Sequence, residues 1–434
     1  MRELTTPFLE PMRGWTAARQ LRTILLFVLV VFPVAAWEGF HEGRMFDQPD
    51  ADHYMAMAEG KPAMMPFASR QLAPIVVRAL TRVPHISIPT AFETLGELSL
   101  LFFLLATVWL LVRSGAPRWT LYALGGLMFW AFQFNSLAMP DLLYAALLCC
   151  FLLLLHEGQI MAACVMIFPM TVSRESTMLT LVCFFVAGWK RLKIIEIVVA
   201  VAALVAASAL VKRLTLDALP NNEHISPMLY MAAKMPWNFL RNVLGLGLWS
   251  NVSPDCGVPK WQMPVHFGAV HAIGVCGFYP AVVEETFGLA MVTFGLLPLM
   301  VWTLRRQMLR TGGRGDLMLR FALVYGMVSF VIAPLLGESF SRLYGYSWPL
   351  YLVALPLLLG ASGANFKSAW AAIAFLALHL FLSWSMTWAF PRPLFWVAFT
   401  CWILGWMLLR RTFRSELPKV LGCDGAIQAA GSAS

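Results

Sequence analysis

Runs of roughly 18 to 22 apolar residues follow one another from Leu21 almost to Arg410. Each is long enough to cross a bilayer core of about 30 Å at ~1.5 Å per helical residue. Composition agrees: 59% of the 434 residues are hydrophobic and 13% charged, with 17 tryptophans, more apolar surface than a soluble domain uses. The chain reads as an all-α, polytopic integral membrane bundle.

About twelve spans are expected, near 22–40, 92–112, 119–135, 141–156, 159–173, 176–189, 194–211, 285–304, 318–336, 346–363, 369–389 and 394–410. The first, "LRTILLFVLVVFPVAAWEGF", follows about twenty residues and lacks a small-x-small cleavage pattern, so it is expected to stay as a span. The net charge of +9 does not signal a nucleic-acid partner. Its basic residues cluster in short loops, "RSGAPR", "KRLK", "RRQMLRTGGRGDLMLR" and "RRTFRSELPK", which with the N-terminal segment fall at alternate crossings. Those loops take the cytoplasmic side, and so do both termini.

This organisation gives a cytoplasmic segment 1–21, a transmembrane domain 22–410 and a cytoplasmic tail 411–434, whose small, polar end reads as disordered. Two long segments, 41–90 and 212–284, face outward, together with the turns "NSLAMPD", "SRES", "GESFSR" and "FPRP". "PDADHYMAMAEG", "FASRQLAPIVVRALTRV" and "SPMLYMAAKMPWNFLRNVLGLGLW" alternate polar and apolar residues at helical spacing, as helices lying in the membrane surface do. Cys149, Cys150, Cys164, Cys183 and Cys401 lie in apolar runs as small buried residues. Cys256 and Cys276 share the second outward segment and can pair if it meets an oxidising compartment.

Every polar motif with chemical potential falls on the outward side. Asp47, Asp50 and Asp52 follow the first span, with His53 and Tyr54 directly after. One aspartate is explained by capping the helix that starts there; three are not, and Asp50 or Asp52 is a candidate general base. Arg70 in "PFASRQLAP" suits either a phosphate ligand or a snorkelling anchor. Asn135 and Asp141 bracket a tight turn, where local turn and cap roles suffice. Arg174 and Glu175 fit an ion pair or an anion site, with Ser173 and Ser176 at hand as caps. Glu338, Arg342, Tyr344 and Tyr346 stand at the outer ends of two late spans, and Arg342 is the foremost phosphate candidate.

The order of these motifs resembles the glycosyltransferase C superfamily of integral membrane enzymes: "FDQPDADHYMAMAEG" after the first span, then "PFASRQLAP", a mid-chain "SREST" and a late "SRLYGYSWPLYLVALP". The resemblance covers roughly residues 20–360 as architecture and is greatest to bacterial members without a soluble external domain. It implies a bacterial inner-membrane enzyme that moves a sugar, with inversion, from a polyprenyl-phosphate donor to a glycan or lipid acceptor on the periplasmic face. Asp50 or Asp52 would be the base; Arg342, with Arg70 or Arg174, would meet the leaving phosphate. Asp47, His53, Tyr54, Asp141, Glu175, Glu338 and Tyr346 complete the candidate substrate-binding set. The chain lacks the paired Asp-Glu of several such families, and in a helix the two acids of "DAD" would point about 200° apart, which leaves a divalent metal cofactor open. Two other functions fit the hydropathy: a transporter or flippase for a lipid-linked or anionic substrate, and a non-catalytic part of an envelope-assembly complex. A transporter predicts ionisable residues deep in spans, and His379 is nearly the only such residue noted.

Overall fold

The computed structural model describes residues 12–41, 49–116, 118, 120–121, 140–308, 317–337, 340–354, 378, 396–397, 399–408 and 410. The expected spans at 119–135 and 369–389, save residues 120–121 and 378, together with Asp47, Asn135, Glu338 and His379, lie outside the described residues, as does the 411–434 tail.

The chain is mostly helical. α1 (Ala17–His41) is followed by two short helices, α2 (Pro49–Ala58) and α3 (Leu72–Leu80), and then by α4 (Ile88–Arg113). α5 (Asp141–His156), α6 (Ile160–Ser173), α7 (Thr177–Ala187) and α8 (Ile194–Leu214) run in succession, and α9 (Pro227–Asn238) opens the central segment. After a three-stranded sheet come α10 (Pro280–Phe294), α11 (Leu297–Met308), α12 (Leu317–Leu336), α13 (Phe340–Gly345) and α14 (Phe399–Leu408). Among the described residues, four helical segments, Ala17–Ala36, α4, α8 and α12, are long and apolar enough to cross a membrane. α5, α6, α7 and α14 are apolar but shorter.

α4 is the central element. Its start is fixed by Ser87, whose hydroxyl accepts from the Thr90 amide at 3.3 Å, and by Pro89 in the first turn. It packs against α1 and α5, and its Phe103 meets the Trp348 ring edge-on at 4.8 Å. Phe151 of α5 bridges Phe184 of α7 and Phe321 of α12 at 5.4 and 5.0 Å. These aromatic contacts join helices far apart in sequence into one core. Gly326 of α12 lets the turn at Pro349–Ala354 approach, because a Cβ there would lie 2.0 Å from the Leu350 Cβ. α8, by contrast, turns Ile194, Ile195, Val198 and Val205 outward, the pattern of a face solvated by lipid.

The two outward segments differ from a pair of flat surface helices. α2 and α3 form as expected, but they bury Ala51, Tyr54, Met57, Ala73 and Val77 against Phe92 of α4 in a small core of their own. In the central segment the helix stops at Asn238, passes through a π turn at Phe239–Val243 and gives way to β1 (Leu246–Ser250). β1 pairs antiparallel with β3 (Val270–Phe278), which pairs antiparallel with β2 (Trp261–Phe267), in the order β1-β3-β2. The all-α expectation is corrected here. "LGLGLWS" alternates with period two, and Gly245 at φ 70° breaks the helix that precedes it. Cys256 and Cys276 form a disulfide across this unit. Arg241 Nε donates to both Asp255 oxygens at 3.0 Å, and Asp255 in turn accepts from the Leu248 amide at 2.9 Å.

Candidate functional site

Six of the candidate residues meet in one buried cluster. Arg70 follows a single 3₁₀ turn, Phe67–Ser69, that turns its side chain back toward α2. Its Nη1 donates to the Tyr54 hydroxyl at 2.7 Å, while Nε and Nη2 grip Glu175 at 3.0 and 2.6 Å. Arg174, the residue before Glu175, is extended at the end of α6 and points inward. It donates to Asp141, the first residue of α5, and the Tyr346 hydroxyl donates to the same carboxylate oxygen. The Arg174 guanidinium also stands 4.6 Å from the Tyr346 ring centroid.

Two arginines therefore face two carboxylates and two tyrosines, contributed by α2, the turn after it, α5, the α6–α7 turn and the segment after α13. Arg70 and Arg174 are 6% and 5% exposed and Asp141 is fully buried, so this network is closed to bulk water except at Glu175. Burial works against charge on both arginines. The neighbouring carboxylates, Glu175 for Arg70 and Asp141 for Arg174, outweigh it and lift both above the ordinary arginine value. Desolvation likewise opposes ionisation of Glu175, but the Arg70 charge and hydrogen bonds, with Arg174 behind them, hold its carboxyl down to about 2. Burial raises Tyr54 above its ordinary value, so it is a neutral hydroxyl in this ring of charge.

The remaining candidates are placed as follows. Asp50 and Asp52 lie in the first turn of α2, Asp50 half-buried and Asp52 exposed. Asp50 precedes Tyr54 by four residues and so shares its helix face, whereas Asp52 points away from it. His53 stacks on Phe67 at 4.6 Å. Asp141 sits in the first turn of α5, as a local cap does, yet its carboxylate reaches two distant residues. Ser176 stands at the start of α7 without capping it through its side chain, and Ser173 ends α6. Arg342 lies in α13, and its side chain is outside the described part of the structure.

Sequence reasoning missed the Tyr144 and Thr180 neighbours of the cluster. Tyr144, one turn after Asp141, meets the Tyr346 ring at 5.8 Å and shares a 2.7 Å hydrogen bond with Thr180. The i, i+3 spacing from Asp141 was the available signal. Among the described residues no three His, Cys, Asp or Glu side chains gather as a metal site. In the cluster itself each carboxylate already faces an arginine, a poor donor set for a divalent cation.

Fold and site together define a mostly helical protein with four membrane-length apolar helices among the described residues and a buried arginine–carboxylate network joining its loops. No family model, curated protein or solved structure matches the chain.

Proposed function

We propose that the protein is a bacterial inner-membrane glycosyltransferase of about twelve spans, with both termini cytoplasmic, using a polyprenyl-phosphate-linked sugar. The observation that carries this reading is the cluster: Tyr54, Arg70, Asp141, Arg174, Glu175 and Tyr346 come from five separate outward motifs, and they meet. A parallel bridge between Met64 and Leu219 ties the first outward segment to the central one, which supports a common face for both. The Cys256–Cys276 disulfide supports an oxidising compartment on that face.

In the proposed reaction the acceptor hydroxyl gives its proton to Asp50 as its oxygen bonds to the anomeric carbon from the face opposite the phosphate. The carbon–oxygen bond to phosphate breaks, and polyprenyl phosphate leaves with the electron pair. Asp50 is preferred to Asp52 because it shares the Tyr54 face of α2. Arg70 and Arg174 are already neutralised by protein carboxylates, so they hold the scaffold, and Arg342 is assigned to the leaving phosphate. The acceptor is an envelope glycan or a lipid.

That same neutralisation favours one competing reading, a non-catalytic envelope-assembly protein whose cluster only fastens loops together. Replacement decides between them. Asp50→Asn, at wild-type abundance in the membrane, is expected to abolish the envelope glycan modification, while Asp52→Asn leaves most of it. An unchanged glycan in both variants and in the double variant removes the base and with it the enzyme.

A further inference from the structure

A second hollow lies away from the arginine cluster. A cavity of about 570 Å³ separates α9 from the sheet, walled by Tyr230, Lys234 and Trp237 of the helix and by Val265, Phe267 and Ile273 of the strands. Its surface is mainly apolar and aromatic, with polar side chains set among the apolar ones, as in sites that hold the body and head of an amphiphile. Lys234 supplies a cation there: its Nζ donates to the Tyr230 hydroxyl at 2.7 Å and stands 4.9 Å from that ring. Among the described residues no carboxylate lies within ion-pair distance of Lys234. Glu223 and His266 also line the cavity.

The surroundings suit a membrane surface. Met228, Leu229, Met231 and Leu240 are exposed apolar residues along and just after α9, and Leu240 also lines the cavity. Asn238, which lines the cavity, donates to the Leu335 carbonyl at 3.0 Å, and so fixes α9 to the end of α12, one of the membrane-length helices.

We propose that this cleft binds an anionic membrane phospholipid, with its phosphate on Lys234 and its glycerol and first acyl carbons against Trp237 and Phe267. An ammonium on a flexible stem is a point-charge partner for phosphate. Glu223 lines the same cavity outside ion-pair distance of Lys234, and its carboxylate repels a dianionic phosphate more strongly than a phosphodiester monoanion. This inference requires only that α9 lies at a membrane surface, and it holds or fails independently of sugar transfer.

Native mass spectrometry of the full-length protein in detergent tests it with phosphatidylglycerol, phosphatidylcholine and inorganic phosphate as probes. Phosphatidylglycerol is expected to be retained about tenfold better than phosphatidylcholine, with Lys234→Gln losing that preference and Lys234→Arg keeping it. Lys260→Gln, on the same segment but outside the cavity, leaves it unchanged. An intact Cys256–Cys276 disulfide in each variant confirms that the unit is folded. Equal retention of the two lipids overturns the proposal, as does an unaltered preference in Lys234→Gln. Loss of preference in Lys234→Arg with the disulfide intact, or complete displacement of the lipid by inorganic phosphate, also overturns it.

Discussion

Asp141 is fully buried at the start of α5 with Arg174 and Tyr346 on one of its oxygens. Removing one partner of such a pair leaves an uncompensated charge, a loss of about 3–5 kcal/mol, whereas removing both costs far less. Asp141→Asn should therefore lower the thermal midpoint in detergent sharply, and Asp141→Asn with Arg174→Met should recover part of the loss. Glu175 behaves differently because 44% of its side chain is exposed, and Glu175→Gln is expected to cost about 1–2 kcal/mol. Its depressed value fixes the sign of the pH effect. The contribution is complete above the unfolded carboxyl value of about 4.3 and is lost as pH falls toward about 2. Between those limits thermal unfolding should show the wild type losing stability relative to Glu175→Gln, and above pH 5 a constant difference. At this scale the residue types were legible, since arginine and aspartate at the ends of apolar runs announce themselves. Their partners were not: Asp141 also fits a local cap, and nothing local ties it to Arg174, 33 positions on, or to Tyr346, 205 positions on.

Among the elements, helices with full apolar runs follow directly from the sequence, and α4, α8 and α12 fall where hydropathy puts them. The sheet does not. "SPMLYMAAKMPWNFLRNVLGLGLW" keeps helical spacing to Asn238 and then changes to period two within a few residues, too short a stretch to outweigh the helical pattern before it. What holds the strands is long-range: the disulfide, the Arg241–Asp255 pair, and Asn251, which accepts from the His271 amide at 2.9 Å and donates to the Ala269 carbonyl at 2.8 Å. Cys256→Ser with Cys276→Ser removes a link between residues 20 apart and should destabilise this unit by about 3 kcal/mol. Limited proteolysis should then cut within 251–260 while the membrane helices stay intact. The end of α9 and the π turn after it also cap another helix. Asn238 and Asn242 donate to the Leu335, Pro334 and Gly337 carbonyls at the end of α12, so the central segment is fastened to the membrane-length bundle.

Across the molecule the chain sorts into two ends. At one, the Met12 amide donates to the Ala116 carbonyl at 3.1 Å, and Arg113 at the end of α4 faces Glu157 after α5 at 3.8 Å. At the other, the starts of α5 and α7 and the end of α6 meet the α2–α3 unit through the arginine cluster. The loop-charge pattern anticipates this sorting, because basic "RSGAPR" and the N-terminal segment share the first end. Sequence alone does not give the convergence, which depends on antiparallel helices returning distant turns to one place. We propose that a carboxylate beside this cluster drives sugar transfer from a lipid phosphate. Release of polyprenyl phosphate by the purified protein from a polyprenyl-phosphate-linked sugar, in the presence of envelope acceptor, tests it most directly. The wild type should release one polyprenyl phosphate for each glycosidic bond formed, and Asp50→Asn should slow both by roughly 10²-fold or more. Release at the wild-type rate by Asp50→Asn, or no release by the wild type, would contradict the claim.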